Sequence, residues 1–456
     1  MIRRVHPSAP GPPARLITGH ASDFRQDPLG YLREVTSRHG DVVGLWAGPR
    51  PAVLFCHPDQ VQTVLQSRHM LYQKHTTPLS RMRLVIGEGL ATTTGKAWVR
   101  LRQLLQPAFQ PAVLAALSQP IAGLAAQEAA GWDRIAEQGQ SLEMHGAMLR
   151  LSFRIASAAL FGTDLSDTAD EASQALQEIE RQADDRLYDL IDFPVWLPTP
   201  ANRRFERALQ TLEDTLRPLI TSRAPDPFRQ DLLKLLKEAS GDDGDHLSER
   251  ELRDQVFTML LAAHESTGNT LTWVWHLLSL HPEVQDRLHE EIDRVLKDRL
   301  PTWQDLPTLD YSRMVVQEAM RLWPASWLLL RTAVDEDVLE GIRVPRGALV
   351  LLSPFVTHRH PDFWSDPERF DPTRFSAAAS ARRHRFAFFP FGGGPRKCIG
   401  ETFALAQMTL VTATVAQRWR FATCSEVAVE PAPRVFLGFR HGLRLRLQRR
   451  SAHAAA

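Results

Sequence analysis

The sequence predicts a mainly α fold with a small β-sheet region, and two observations carry this prediction. Apolar residues recur at three- and four-residue spacing, with charged residues between them, over five long stretches, as in amphipathic helices. Strand-like runs are short and confined to three places. The predicted helices span 111–137, 142–160, 166–186, 203–222 and 276–297, and the predicted strands fall within 42–55, 333–352 and 427–448.

The size and charge of the chain restrict its class. It has 456 residues, of which 43% are hydrophobic, and this is enough to bury a large core. Its formal net charge of +1 gives no global basic field of the kind that drives nucleic-acid binding. We therefore expect one large domain that binds no nucleic acid.

The cysteines and the N-terminus bear on location. Cys56, Cys398 and Cys424 are far apart in the sequence, which favours neither a disulfide framework nor a CxxC metal pair. The first residues lack the apolar run of a signal peptide, and no uncharged apolar stretch of about 20 residues occurs. The sequence predicts a cytoplasmic protein without a transmembrane anchor.

One predicted helix is unusually long. Ser248 and Glu251 have the form of a capping box, and the apolar pattern then continues to His281 before Pro282. Its middle is interrupted by the polar segment 262–267. Polar groups inside a buried helix are costly unless they have partners, so this interruption predicts a functional role.

The most informative segment is the Gly-rich loop 391–400, in which Arg396 and Lys397 precede Cys398 and a predicted helix follows. Glycines let the backbone approach a bulky planar cofactor, and positive charge beside a helix N-terminus favours a thiolate over a thiol. The alternative is a buried, inert cysteine beside a flexible loop. The completeness of the pattern favours a loop that holds a thiolate.

This loop resembles the haem-binding signature of the cytochromes P450 at Phe391, Gly394, Arg396, Cys398 and Gly400. The resemblance, to the soluble bacterial members, implies the cytochrome P450 fold and a haem b whose iron is ligated by the Cys398 thiolate. A thiolate ligand favours O–O cleavage. We expect a Pro-rich segment over 1–24, a single cytochrome P450 domain over 25–447 and a frayed tail over 448–456.

Two further motifs fit the family. Glu318 and Arg321 share a helix face and resemble its ExxR motif. The third member of this structural triad is expected from a PxRF motif, for which 367–370 and 372–375 compete, and we assign Arg374. The alternative for Glu318 and Arg321 is an ordinary surface pair. The resemblance implies that the triad fixes the packing behind the haem.

Haem propionate contacts are expected on several elements. Trp98 and Arg102 are four residues apart, so their side chains point the same way, and they resemble the family's WxxxR helix. Arg331 and Arg396 resemble its other propionate contacts. The alternative places Trp98 in the core and Arg102 on the surface. The upstream GxG of residues 87–89 is too weak a motif to indicate nucleotide binding.

The interrupted helix resembles the family's oxygen-activation pattern, in which small residues make room for O2 while an acid and an alcohol relay protons. Glu265 is the acid and Ser266 the alcohol, whereas the family usually has Gly at Ala263 and Thr at Ser266. Ser keeps the hydroxyl but lacks the methyl that fixes its rotamer. Two alternatives stay open: Thr267 replaces Ser266 in a shifted register, or Glu265 bonds only a neighbouring backbone group.

The substrate is expected to be lipophilic, because the stretches that correspond to the family's substrate-contacting regions are apolar. Segments 321–331 and 351–358 resemble bacterial carotene-hydroxylating members more narrowly. The resemblance therefore implies insertion of one oxygen atom of O2 into a carotenoid, terpenoid or fatty acid. Each pocket residue could equally be core; those predicted are Leu187, Ile191, Ala262, Trp327 and Leu328.

Electrons are expected from a separate ferredoxin or flavodoxin with its reductase, because the patterned sequence ends near Leu447. We expect the donor to approach the face nearest Cys398, where Lys397 and Arg100 are the predicted exposed contacts. The alternatives are a haem-thiolate isomerase or dehydratase and a non-catalytic haem sensor. Neither needs a proton relay, so Glu265 and Ser266 argue against both.

Overall fold

The structure is a computed structural model that describes residues 9–74, 83, 86–188, 197–221, 231–239, 246–424 and 428–450. Helices dominate it, as predicted. The α-helices are α1 (Ala21–Gln26), α2 (Pro28–His39), α3 (Pro58–Gln62), α4 (Gly95–Leu105), α5 (Pro111–Leu117), α6 (Gln119–Ala130), α7 (Asp133–Glu137), α8 (Met144–Phe161), α9 (Ser166–Tyr188), α10 (Pro200–Thr221), α11 (Leu232–Glu238), α12 (Glu249–Leu280), α13 (Pro282–Leu296), α14 (Asp310–Leu322), α15 (Pro354–Thr357), α16 (Ala377–Arg382) and α17 (Glu401–Arg418).

The strands are short and form small sheets. They are β1 (Val42–Ala47), β2 (Arg50–Phe55), β3 (Tyr72–Gln73), β4 (Ser141–Glu143), β5 (Leu329–Ala333), β6 (Asp337–Leu339), β7 (Ile342–Val344), β8 (Leu349–Leu352), β9 (Trp419–Thr423), β10 (Pro431–Pro433), β11 (Leu437–Phe439) and β12 (Arg444–Arg449). The predicted strand region 333–352 thus holds three strands and the end of a fourth, because a bend at Asp335 and turns at Gly341 and Gly347 interrupt it.

The chain divides into two compact units. The first comprises Met1–Ser80, Met320–Phe370 and Ala377–Cys398, and the second comprises Arg81–Ala319, Asp371–Ser376 and Ile399–Ala456. The first unit contains a five-stranded sheet of order β1-β2-β8-β5-β3, in which only the β2–β8 pair is parallel. Its core includes Val53, Phe55, Val350 and Leu352, all fully buried.

The second unit is built around α12, which extends over 32 residues. The predicted capping box is present, since Ser248 and Glu251 each bond the other's backbone N–H. The close approach of α12 to α8 requires a glycine, because a Cβ at Gly268 would lie 2.7 Å from Cδ2 of Leu149. This packing fixes the rotation of α12 about its axis, and therefore which side chains in its middle remain accessible.

Two helix predictions need correction. The stretch 111–137 is not one helix but three, α5, α6 and α7, which are separated at Ser118 and at 131–132. The stretch 276–297 joins the end of α12 to α13, and the break lies at His281 because Pro282 cannot continue the i→i−4 bonding. In the part of the chain that the structure describes, no single helix is long and apolar enough to cross a membrane, whereas the bent pair Gly95–Phe109 and Pro111–Glu137 meets that criterion jointly.

Candidate functional site

The loop that carries Cys398 lies in the first unit and is closed by its own backbone. The Cys398 N–H donates to the carbonyl of Phe391 at 3.0 Å, and the Lys397 N–H donates to the carbonyl of Gly394 at 3.1 Å. A single 3₁₀ turn, Gly394–Arg396, lies between them. Cys398 itself is exposed, whereas Cys56 is buried. The loop therefore leaves its cysteine accessible.

Glycines allow this loop to pack against its neighbours without side chains. Gly394 has a φ of +65°, and a Cβ there would lie 1.8 Å from the carbonyl oxygen of Leu65, on the π-helical turn Thr63–Ser67. A Cβ at Gly393 would lie 2.3 Å from the ring of Phe386. The loop is thus a cradle that side chains would fill, which is the reason why a Gly-rich sequence is needed.

Three cations accompany Cys398 in the same unit: Lys74, Arg331 and Arg396. Burial lowers the pKa of Arg331 to about 10, and burial together with Arg331 lowers the pKa of Arg396 to about 10. The pKa of Lys74 falls to about 7, chiefly through burial and then through Arg331 and Arg396, while the charge of Cys398 opposes the fall. Positive charge is therefore concentrated around the cysteine.

Sequence reasoning identified Arg331 and Arg396 but missed Lys74. Lys74 follows β3, which pairs with β5 so that Gln73 lies opposite Thr332, and this pairing brings Lys74 beside Arg331. A lone lysine after a two-residue strand carries no local signal. Only the pairing of β3 with β5 could have revealed it.

These residues fit a haem. A haem iron takes a thiolate ligand, and the two haem carboxylates take cations. The exposed Cys398 supplies the first kind of group, and Lys74, Arg331 and Arg396 supply the second. The glycine cradle next to Cys398 leaves the backbone accessible to a large planar group.

Arg321 organises the segment that precedes the loop. It is fully buried and donates to the carbonyls of His358 at 3.0 Å, Pro367 at 2.7 Å and Arg369 at 3.1 Å. Its guanidinium also lies over the ring of Trp364, 5.0 Å from the centroid. A buried cation with three carbonyl acceptors fixes the backbone of this segment. The role of Arg321 in packing behind the haem stays a prediction.

The second unit places Arg374 beside Glu318. Nε of Arg374 lies 3.5 Å from Oε1 of Glu318, and the same oxygen accepts the backbone N–H of Asp371 at 2.9 Å. Glu318 is fully buried. Arg369, which belongs to the competing motif, has an exposed side chain. The geometry thus favours Arg374 for the triad.

The middle of α12 has one accessible face. Ala262 is exposed, Glu265 and Ser266 are half-buried, and Thr267 is buried at 3% exposure. The hydroxyl of Ser266 donates to the carbonyl of Ala262 at 2.5 Å. Ala262 and Ser266 are four residues apart and share the accessible face, whereas Thr267 does not; the choice of Ser266 as the functional alcohol stays a prediction.

His264 explains part of the polar interruption, although no role for it was expected. Its Nε2 lies 3.0 Å from Oγ of Ser173, and its Nδ1 lies 3.5 Å from Oε1 of Glu180, both on α9. Burial lowers the pKa of His264 to about 3, so the ring is neutral. A carboxylate only accepts, so Nδ1 donates to Glu180 and Nε2 accepts from Ser173. An uncharged polar residue in an apolar run was the available signal.

Trp98 and Arg102 lie on α4 as predicted, and both are half-buried. Arg100, on the same helix, was predicted to be an exposed contact for the electron donor, and this prediction needs correction. It forms an ion pair with Glu251 at 2.5 Å and donates to the carbonyl of His246 at 3.0 Å. Arg100 therefore holds α4 to the start of α12.

The predicted pocket residues do not share one environment. Trp327 is buried and stacks on Phe24, with the ring centroids 6.1 Å apart, so packing accounts for it without a substrate. Leu328 is half-buried and Ala262 is exposed. Ile191 and the side chain of Leu187 lie outside the described residues.

Comparison with known proteins assigns the family. The profile described as "Cytochrome P450" matches residues 9–441. The chain is 36% identical over 407 residues to cyclooctat-9-en-7-ol 5-monooxygenase of Streptomyces melanosporofaciens, covering 89% of this chain and 87% of that one. It is 34% identical over 448 residues to pentalenene oxygenase of Streptomyces avermitilis, covering 97% of each.

A solved structure agrees in fold. The crystal structure of the cytochrome P450DA heme domain superimposes with a TM-score of 0.88 at 24% identity, covering 98% of each chain. The chain belongs to the cytochrome P450 family. Within that family it is a monooxygenase with a haem-thiolate iron cofactor.

Proposed function

We propose that this cytochrome P450 inserts one oxygen atom of O2 into a terpenoid, with Cys398 as the thiolate ligand of the haem iron. The observation that carries the proposal is the exposed Cys398 in a glycine cradle beside three cations, of which Arg331 is buried and Lys74 and Arg396 are half-buried. A lipophilic substrate and an external redox partner follow from the family. The relatives named for pentalenene and cyclooctat-9-en-7-ol favour a terpenoid over a carotenoid or a fatty acid.

The residues of the first unit hold the cofactor in this proposal. Cys398 binds the iron, and the bound haem-thiolate group supplies the chemistry of oxygen activation. Lys74, Arg331 and Arg396 bind the haem carboxylates, and their lowered pKa values favour this, because an anion restores the charged form that burial disfavours. The resemblance to the family's WxxxR helix assigns haem carboxylate contacts to Trp98 and Arg102 as well.

The middle of α12 holds and delivers protons in this proposal. Ser266 keeps its hydroxyl proton on the carbonyl of Ala262, and a rotation about χ1 redirects it. Without a β-methyl, Ser266 makes this rotation more readily than a threonine. Glu265, one residue earlier, resupplies the proton. Ala262 and Ala263 have small side chains, so they leave the surface of α12 beside Ser266 accessible.

The ligand assignment is tested by Cys398→Ser. We expect the variant to lose the red-shifted band of the ferrous carbon monoxide complex, because this band requires a thiolate ligand, and to lose monooxygenase activity with it. Cys424→Ser is the matched control, since Cys424 is half-buried and belongs to no predicted motif. Retention of the band in Cys398→Ser, or its loss in Cys424→Ser, contradicts the assignment.

The substrate class is tested with a panel of cyclic terpene hydrocarbons, terpene alcohols, carotenoids and fatty acids. We expect terpenes to shift the haem spectrum from low to high spin and to yield products that carry one atom of labelled O2. A spin shift and product formation restricted to fatty acids or carotenoids would overturn the terpenoid assignment and leave the ligand assignment intact. We further propose a cytoplasmic enzyme served by a ferredoxin or flavodoxin with its reductase.

A further inference from the structure

The backbone of the loop that follows Ile86 is bound by side chains of α12. The N–H of Glu88 donates to Oδ2 of Asp254 at 2.8 Å, and the N–H of Leu90 donates to Oε1 of Gln255 at 2.9 Å. Asp254 and Gln255 are 2% and 0% exposed. Both bonds reach backbone groups, so they fix the position of the loop whatever side chains it carries.

The GxG motif of this loop has a packing function. Gly87 has a φ of +65°, and a Cβ there would lie 2.2 Å from Oδ2 of Asp254. A Cβ at Gly89 would lie 1.8 Å from Oγ1 of Thr258 and 3.0 Å from the carbonyl oxygen of Asp254. The two glycines allow the loop backbone to lie directly on α12, which accounts for a motif that gave no functional reading in the sequence.

Internal bonds make the loop a stiff connection to α4. The hydroxyl of Thr92 donates to the carbonyl of Gly87 at 2.7 Å, and the hydroxyl of Thr93 donates to the carbonyl of Gly89 at 3.0 Å. Thr94 then forms the N-cap of α4. A second attachment follows inside α4, where Arg100 pairs with Glu251 of α12 at 2.5 Å. α4 is thus attached to α12 twice, through the loop that precedes it and through Arg100.

We propose that the loop 87–90 together with Asp254, Gln255 and Thr258, here called the clasp, positions α4 so that Trp98 and Arg102 retain the haem. Asp254, Gln255 and Thr258 are positioning residues that act through α4. This inference rests on the proposed function, in which Trp98 and Arg102 contact the haem carboxylates. Its consequence is that a change in the clasp, which in this proposal does not itself contact the haem, accelerates haem loss.

The test measures haem dissociation from the full-length holoprotein by transfer to excess apomyoglobin. We expect Gly89→Ala to raise the dissociation rate about tenfold, which corresponds to about 1.4 kcal/mol. The matched control is Gly123→Ala in α6, where a Cβ meets nothing within 4 Å, and we expect no change in its rate. Thr258→Gly removes the atoms that an alanine at 89 meets first. The double variant Gly89→Ala/Thr258→Gly should therefore return to the rate of Thr258→Gly alone.

A second variant keeps the test decisive if Gly89→Ala does not fold. Gln255→Leu keeps the volume but leaves the buried N–H of Leu90 without its acceptor, and it should raise the dissociation rate in the same direction. Urea unfolding of each apoprotein is measured alongside. A rise in haem loss that only follows the loss of apoprotein stability would assign the clasp a purely structural role and overturn the inference.

The variant Arg102→Leu distinguishes a failure of the clasp inference from a failure of the proposed function. If this variant and Gly89→Ala both release haem faster than the wild type, the clasp and the role of Arg102 are supported together. If only Arg102→Leu does so, the clasp inference fails and the proposed function stands. If Arg102→Leu retains haem as the wild type does, the proposed contact of Arg102 fails, and with it the action of the clasp through that contact.

Discussion

The Cys398 loop and the middle of α12 are the two regions to which the proposed function assigns chemistry, and they are built on different principles. In the loop, backbone geometry does the positioning: Gly394 adopts a positive φ and the Cys398 N–H bonds to a carbonyl within the same loop. In α12 the backbone is a regular helix, and function depends on which face is accessible. A loop of the first kind leaves a sequence signature, whereas the face of a helix is decided by packing partners elsewhere.

The two regions also treat their polar groups differently. Around Cys398, positive charge accumulates on Lys74, Arg331 and Arg396, which suits an anionic cofactor. In α12, His264 is kept neutral by burial and bonded to α9, and Ser266 is bonded to a carbonyl of its own helix. Changes in the loop should therefore affect cofactor binding, and changes in α12 should affect turnover or pH stability.

The largest effect is expected in the loop, from Gly394→Ala compared with Gly392→Ala. Both glycines have positive φ angles, +65° and +72°, so both substitutions incur similar backbone strain. A Cβ at Gly394 would lie 1.8 Å from the Leu65 carbonyl oxygen, whereas a Cβ at Gly392 meets only Leu329 Cδ1 at 3.9 Å. We expect Gly394→Ala to destabilise the holoprotein by about 1–3 kcal/mol more than Gly392→Ala, the usual range for overpacking.

Urea unfolding of the holoproteins and their haem content by the pyridine haemochrome assay measure this difference. Equal loss of stability and of haem in the two variants would mean that conformational strain alone, rather than contact with the turn at Leu65, fixes the loop. The Cys398 loop would then no longer be an example of a region that is positioned by close backbone packing.

The next effect concerns α12 and the choice between Ser266 and Thr267. Ser266→Ala should leave haem binding intact but divert electrons from product to hydrogen peroxide. We expect the amount of product per reduced cofactor to fall about tenfold, which is a smaller effect than the loss of a proton donor usually has. Thr267→Val removes the neighbouring hydroxyl at a buried position and should preserve that ratio. If the ratio instead falls in Thr267→Val and not in Ser266→Ala, the register inferred from exposure is wrong.

A smaller effect should appear in acid, through His264. Its folded-state pKa of about 3 lies below the value near 6.5 of the unfolded chain. Between those values the unfolded state binds the additional proton, so stability falls as the pH falls, by up to about 1.4 kcal/mol per pH unit. His264→Gln supplies a neutral acceptor for Ser173 and a donor for Glu180, and it should flatten the pH dependence of the unfolding free energy between about pH 6 and 4.

His441→Gln, the same substitution at an exposed position, is the matched control for this measurement. A slope in His264→Gln that matches the wild type would mean that the ring is protonated in the folded protein. Nε2 would then donate to Ser173 instead of accepting from it, while Nδ1 would still donate to Glu180.

The sequence predicts the Cys398 loop better than it predicts the middle of α12, because the loop depends on local backbone geometry whereas α12 depends on packing partners elsewhere in the chain. The Cys398 loop, the capping box at Ser248 and the length of α12 could be predicted because each depends on residues close together in the chain. Lys74 could not, since strand pairing between β3 and β5 creates its environment. The register of Ser266 also required structure, because contacts such as that of Gly268 with Leu149 set the rotation of α12.

Arg100 shows the same limit from another direction. As a charged residue on an amphipathic helix it was expected to face solvent, but Glu251, which lies 151 positions later, pairs with it. Charge alone does not distinguish a docking residue from one engaged in a tertiary ion pair. Lys397, a positively charged residue in the Cys398 region, is still predicted to contact the electron donor.

The smallest effect therefore separates Lys397 from Arg100. Lys397→Glu should slow reduction by an acidic ferredoxin about two- to fivefold at low salt, because rim charges chiefly affect the encounter rate. The defect should shrink as ionic strength rises and the Debye length falls to about 8–10 Å. Arg100→Glu places a second carboxylate beside Glu251, so it should lower the unfolding free energy instead, with any change in reduction rate largely independent of salt. Stopped-flow reduction across a salt series, with substrate binding as the control, distinguishes the two. A salt-dependent defect in Arg100→Glu and none in Lys397→Glu would move the proposed docking face from the cysteine loop to α4.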